Sequence, residues 1–193
     1  LPFSTGGPVG ELAGQGGGLV PPHRNHAKPD AFFPQTRPGD TIILSEASHP
    51  FHYERANVAM FGGLLTRVIP DPFGKFTATQ LREQMVLEED PHLSPTTLAS
   101  IENTTNRGGG ACWEYHDLEE IARVCRGHGL RLHCDGARLF NACAATNMAP
   151  QYYAQCCDTV CFCLSKGLGA PAGSVLVGEK AVIHRARYYR KML

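Results

Sequence analysis

From Asp40 onward the chain alternates between two kinds of hydrophobic pattern. Short apolar runs occur at 41–45 (TIILS), 65–70 (LTRVIP), 96–104 (TTLASIENT), 130–137 (LRLHCDGA), 158–165 (DTVCFCLS) and 173–178 (GSVLVG). Their length and β-branched content predict strands. Between them the apolar positions recur at helical spacing. The clearest case is 115–129 (YHDLEEIARVCRGHG), where Leu118, Ile121, Ala122 and Cys125 share one face and Gly127 or Gly129 ends the helix. Residues 77–90 (TATQLREQMVLEED) are amphipathic through Leu81 and Met85, extended by Val86, with Thr77 as a candidate cap. Shorter helices are predicted at 53–61, 138–146 and 152–156, and another begins at Glu179. Strands alternating with helices through short loops predict an α/β fold, a mostly parallel central sheet with helices on both faces. The first 38 residues have no such period and are rich in Gly and Pro, which predicts an irregular segment ahead of a unit spanning 39–193.

Composition narrows the function class. Lys plus Arg and Asp plus Glu number 18 each, so charge points to neither nucleic acid nor an anionic membrane surface. The longest apolar runs, such as Gly173 to Val177, are far too short to span a bilayer. Leu1 opens the chain without a basic leader or an apolar signal core, and the missing initiator Met suggests that the true N-terminus lies upstream. The eight cysteines contain no CxxC pair and no His pair at finger spacing, so no metal site is expected. Small buried thiols in a reducing compartment explain them, with Cys161 and Cys163 on one face of a strand.

Right-handed crossovers bring the carboxyl ends of parallel strands to one edge, where ligands of such folds collect. His49 follows the run at 41–45. Glu102, Asn103 and Thr104 end the run at 96–104, Asp135 to Arg138 end or follow the run at 130–137, and Ser165 and Lys166 end or follow that at 158–165. An ammonium at the mouth of an apolar strand, beside Gly167 and Gly169, is expected to be desolvated and so able to serve as a nucleophile. A lysine that forms a Schiff base, with an aspartate for a pyridinium nitrogen, is the pairing that pyridoxal 5'-phosphate requires. Arg138 suits an amino acid carboxylate, and His49 offers a ring for stacking or a base near neutral pH. Plainer roles stay open: Asp135 as a helix cap, Arg138 as its ion-pair partner, and His49 as a solvated loop residue.

Four segments then carry a resemblance: IENTTNRGGG (101–110), HCDGARLFNA (133–142), FCLSKGLGAPAGSVLVG (162–178) and RARYYRKML (185–193). In order and spacing, from about Arg37 to Leu193, the chain resembles the low-specificity L-threonine aldolases, pyridoxal-phosphate enzymes of the aspartate-aminotransferase fold type. The resemblance implies a cofactor-binding large domain, incomplete because the small C-terminal domain is missing. It implies that Lys166 is the Schiff-base lysine, that Asp135 pairs with the pyridinium nitrogen, and that Arg138 binds cofactor or substrate carboxylate. It further implies that His49 stacks on the ring and takes part in catalysis, that Ser165 touches the phosphate, and that Lys191 lies near the substrate. Thr105 stands where the family commonly has a histidine that contacts the substrate hydroxyl. FSTGGPVGEL (3–12) is a degraded form of the family's phosphate loop.

The implied activity is retro-aldol cleavage of L-threonine or L-allo-threonine to glycine and acetaldehyde, within threonine catabolism and glycine synthesis. Alternatives are another fold-type I lyase that β-eliminates, or a non-catalytic relic of the aldolase fold. The partners expected are a small amino acid substrate and further copies of the chain, as a dimer or tetramer. The expected location is the cytoplasm, with mitochondria as the alternative.

Overall fold

A computed structural model of the chain describes residues 17–19, 29–87 and 90–192. Seven strands form one sheet: β1 (Gly17–Leu19), β2 (Thr41–Ser45), β3 (Leu65–Ile69), β4 (Thr96–Glu102), β5 (Arg131–Asp135), β6 (Thr159–Cys163) and β7 (Ser174–Gly178). Their spatial order is β1-β7-β6-β5-β4-β2-β3. The five strands from β3 to β6 are parallel, whereas β7 runs antiparallel to both β6 and β1. The helices are α1 (Pro29–Phe32), α2 (His49–Tyr53), α3 (Asn57–Met60), α4 (Ala78–Gln84), α5 (Tyr115–Gly127), α6 (Leu139–Thr146), α7 (Pro150–Cys156) and α8 (Lys180–Met192), with a 3-10 turn at Phe33–Gln35. Both the α/β class and the mostly parallel sheet agree with the hydrophobic pattern.

Alternation along each strand sends side chains to two separate cores. Ile43, Ile101, Leu132, Val160 and Val177 pack with Trp113, Leu118, Ile121 and Tyr153 under α4–α7. Ile42, Leu44, Leu98, Cys161 and Leu176 face the other way, toward Phe32, Phe33, Val58, Ile183 and Ala186 of α1, the 3-10 turn, α3 and α8. The chain leaving β2 thus crosses one face and the chain leaving β4 crosses the other. The strand order reverses between them, which opens a crevice at their carboxyl ends.

Three expectations need correction. Residues 1–38 are not wholly irregular: β1 pairs with β7, and α1 with the 3-10 turn covers one face of the sheet. The phosphate-loop match at 3–12 lies outside the described residues. The helix expected at 53–61 is two short helices, because Arg55 and Ala56 adopt left-handed backbone (φ 48° and 56°) and break the ladder. The helix expected at 77–90 stops at Gln84, where Met85 turns extended and Val86 N–H donates to Thr96 Oγ1 (3.0 Å). Its start is as expected, with Thr77 and Gln80 forming a reciprocal capping box. The end of α5 is also as expected: Gly129 sits at φ +69°, and Leu130 N–H returns to Cys125 O (2.9 Å).

All eight cysteines are free thiols. Burial is the main cause that pushes Cys125 up to about 12 and Cys143 up to about 11. A raised thiol pKa means that the native state keeps a proton the unfolded chain loses. The stabilisation is therefore complete below the unfolded value near 9 and disappears as pH rises toward the folded value. Urea unfolding should show stability falling above about pH 9, by at most about 1.4 kcal/mol per pH unit per thiol. Cys125→Ala should flatten that slope; an unchanged slope would contradict the assignment.

Candidate active site

The strand ends are tied together beyond the sheet proper. Asn103 N–H donates to Asp135 O (2.9 Å) and Gly136 N–H donates to Cys161 O (2.8 Å), so β4 and β5 each stay paired with the next strand one residue past their own ends. A Cβ on Gly136 would meet Cys161 O at 2.8 Å, which explains glycine at that step. Glu102 and Asp135 are Cα partners across β4 and β5, both buried on the α8 side of the sheet. Asp135 Oδ1 accepts from Ala137 N–H (3.3 Å) and from the Cys161 thiol (3.6 Å). Asp135 is therefore not the cap of α6. That position belongs to Arg138, whose side chain makes no capping bond.

Arg138 is exposed and reaches across the edge, its Nη1 lying 3.5 Å from Asn106 Oδ1. Among the described residues it forms no ion pair with Asp135. Asn106 N–H in turn donates to Glu102 Oε2 (3.2 Å), which folds the loop after β4 back over its strand. Trp113 closes that loop from below by donating Nε1–H to the Glu102 carbonyl (2.9 Å).

His49 opens α2 and is no free loop residue. It is half-buried, with Nε2 3.1 Å from Glu54 Oε1 and its ring tilted against Tyr53 at a centroid distance of 5.0 Å. Tyr53 accepts from Arg107 Nη1 (3.1 Å), so the loops after β2 and β4 touch across the crevice. Sequence reasoning missed Glu54, Tyr53, Arg107 and Asn106. Only the four-residue step from His49 to Tyr53, one helical turn, was available as a signal.

Two expectations about side-chain placement are corrected. Lys166 is exposed, because β6 ends at Cys163 and the lysine sits three residues on, in a turn closed by Gly169 N–H to Lys166 O (3.0 Å) and Ala170 N–H to Leu164 O (3.0 Å). Its ammonium is hydrated in this chain, not desolvated. Thr105 is fully buried beneath Gly74 and Gly108. Its hydroxyl can meet a substrate only if those loops move. Ser165 is half-buried beside Lys166. Lys191 is exposed on the last turn of α8, whose packing partners are α1, the 3-10 turn, β1 and β7, and no described contact joins it to the other candidates. The carboxyl edge of the sheet therefore carries His49, Asp135, Arg138, Ser165 and Lys166, with Thr105 buried beneath its loops and Lys191 on a separate helix.

The donor set can hold a pyridine aldehyde. Asp135 is a buried carboxylate able to face a ring N–H, and Lys166, which forms no ion pair among the described residues, follows the adjacent strand as an accessible amine. Arg138 adds a guanidinium for a carboxylate or phosphate.

A family model described as Beta-eliminating lyase matches residues 9–193. The low-specificity L-threonine aldolase of Eremothecium gossypii is 35% identical over 161 residues, covering 81% of this chain and 41% of that protein. The alanine racemase TOXG of Cochliobolus carbonum is 37% identical over 151 residues, 78% of this chain and 38% of that protein. The chain thus spans less than half the length of these curated relatives. A solved structure of Leishmania major threonine aldolase superposes with a TM-score of 0.86 at 24% identity, covering 95% of this chain and 54% of that one.

The crevice depends on the loop after β4 lying close against the loop after β3. A Cβ on Gly108 would overlap the Phe73 carbonyl and the Thr105 hydroxyl. Gly108→Ala should cost about 1–3 kcal/mol of unfolding free energy by overpacking. A thermal midpoint equal to wild type would show that the loops are not held in contact.

Proposed function

The chain belongs to the beta-eliminating lyase family, and from that premise we propose that it is the cofactor-binding part of a lyase that cleaves L-threonine or L-allo-threonine to glycine and acetaldehyde. Pyridoxal phosphate is the cofactor of this family and of its aminotransferase-fold neighbours. The observation that carries the reading is the pairing of a buried Asp135 and an accessible Lys166 at the ends of neighbouring parallel strands.

Each residue then has a role set by its chemistry. Lys166 Nζ would hold the aldehyde carbon of the cofactor. Asp135 accepts the ring N–H and, being buried, offers a carboxylate that water screens little. When bound, the cofactor supplies an electron-withdrawing ring that no side chain here can replace. Arg138 grips the substrate carboxylate with its planar fork, and Ser165 donates to the phosphate. His49, or a water that it orders, takes the proton from the substrate β-hydroxyl; Glu54, 3.1 Å from its Nε2, orients the imidazole.

A second reading, chemistry at Cα without carbon–carbon cleavage, is favoured by one observation. Thr105, at the position expected to meet the substrate hydroxyl, is buried.

Adding pyridoxal phosphate should give the yellow absorption of cofactor captured by an amine, and Lys166→Ala should abolish it. Turnover of L-threonine to acetaldehyde should fall at least roughly 10³-fold in Lys166→Ala and about 10²–10³-fold in Asp135→Asn. Equal colour in wild type and Lys166→Ala would end the cofactor reading. Pyruvate from L-serine, or racemised L-alanine, without acetaldehyde from L-threonine would replace the aldolase reading with the second one.

A further inference from the structure

We propose that Asn141 is a positioning residue for Lys166: its side-chain amide lies against the Gly167 backbone and fixes the turn that carries the lysine beside the end of β5. The proposal rests on the reading of Lys166 as the cofactor-holding amine. Gly167 is in ordinary backbone space, not the left-handed region, so conformation alone does not demand glycine there. Space does. A Cβ at 167 would fall on the Asn141 amide, within 2.8 Å of Cγ and 3.0 Å of Nδ2 and closer still to Oδ1, and these three atoms are its nearest neighbours.

Asn141 stands in the first turn of α6, where its N–H donates to Arg138 O (2.9 Å). Residues 138 and 141 are three apart and share one side of the helix. Arg138 reaches the loop after β4 through Asn106, whereas Asn141 reaches the loop after β6 through Gly167. The first turn of α6 is thus wedged between its two neighbours, and Gly136, where a Cβ would come within 2.8 Å of Cys161 O and 3.0 Å of Leu139 Cβ, lets it sit close to β6. Asparagine is a weak helix former and here is exposed, so neither helix propensity nor core packing accounts for it. Contact with the lysine turn does.

The test compares Gly167→Ala, Asn141→Ala, Asn141→Asp and the double variant Gly167→Ala/Asn141→Ala. Two readouts are used. Borohydride trapping of pyridoxal phosphate on Lys166, followed by mass spectrometry, reads cofactor capture. Hydrogen exchange at the Gly169 and Ala170 amides of cofactor-free protein reads the turn itself. Gly167→Ala should weaken capture roughly 10- to 100-fold, the scale of a reacting group misplaced by about 1 Å, and should speed exchange at both amides. The double variant should recover only to the level of Asn141→Ala alone, because the overlap is gone but the anchoring amide is gone with it. Asn141→Ala should speed exchange on its own, and the isosteric Asn141→Asp should retain most of the protection. This last pair decides the matter if circular dichroism shows Gly167→Ala unfolded. Wild-type exchange in Asn141→Ala, or a double variant no better than a folded Gly167→Ala, overturns the proposal. Cofactor capture that survives Lys166→Ala would overturn the functional reading instead, while the exchange data would still decide the role of Asn141.

Discussion

The arrangement of this protein depends on backbone hydrogen bonds that continue past the strand ends. Asn103 N–H to Asp135 O and Gly136 N–H to Cys161 O carry β4 and β5 one residue past their own ends against their neighbours. A parallel ladder fixes neighbouring strands in register along their whole length. The residues that follow are therefore held at one level, and loops of only a few residues have little freedom to depart from it. Asp135, Arg138, Ser165 and Lys166 take their mutual places from that ladder. No direct bond among them is needed.

The same ladder explains why the edge carries polar side chains inside a sheet buried on both faces. Within β5, Leu132 and Cys134 enter the core beneath α5, and His133 and Asp135 point to the opposite side. A carboxylate in that position costs several kcal/mol unless hydrogen bonds offset it. Ala137 N–H and the Cys161 thiol supply two of them. His133 is likewise bonded, Nδ1 to Thr159 Oγ1 at 2.7 Å, and Gln35 Nε2 donates to the same hydroxyl at 2.8 Å. The segment before β2 is thus tied to the strands that bear the site. This network lies under the site as a rigid floor, whereas Lys166 and Arg138 above it remain exposed.

Much of this was legible along the chain. Every strand from β2 to β7 fell within an apolar run, and α5 with its Gly129 stop followed from helical spacing alone. That Asp135 and Lys166 stand at the ends of neighbouring strands was legible too, because strand ends in a parallel sheet share an edge. The misses have physical causes. The break at Arg55 and Ala56 is a backbone choice that neither residue type announces. The short β1 lies in Gly-rich sequence and exists only because β7 offers it a partner. The exposure of Lys166 turned on the two residues between the end of β6 and the lysine, a boundary that hydrophobic periodicity places only loosely.

The sequence by itself determined the fold class and the residue types at the carboxyl edge, because periodicity and residue type are local properties. Tertiary structure decided which of those residues meet. Arg138 turns to Asn106 and not to Asp135, Thr105 is shut beneath two glycines, and Asn141 occupies the one place that Gly167 leaves open. Such pairings join loops that are far apart along the chain. Their geometry is fixed by strand order and close packing, and no local pattern encodes either.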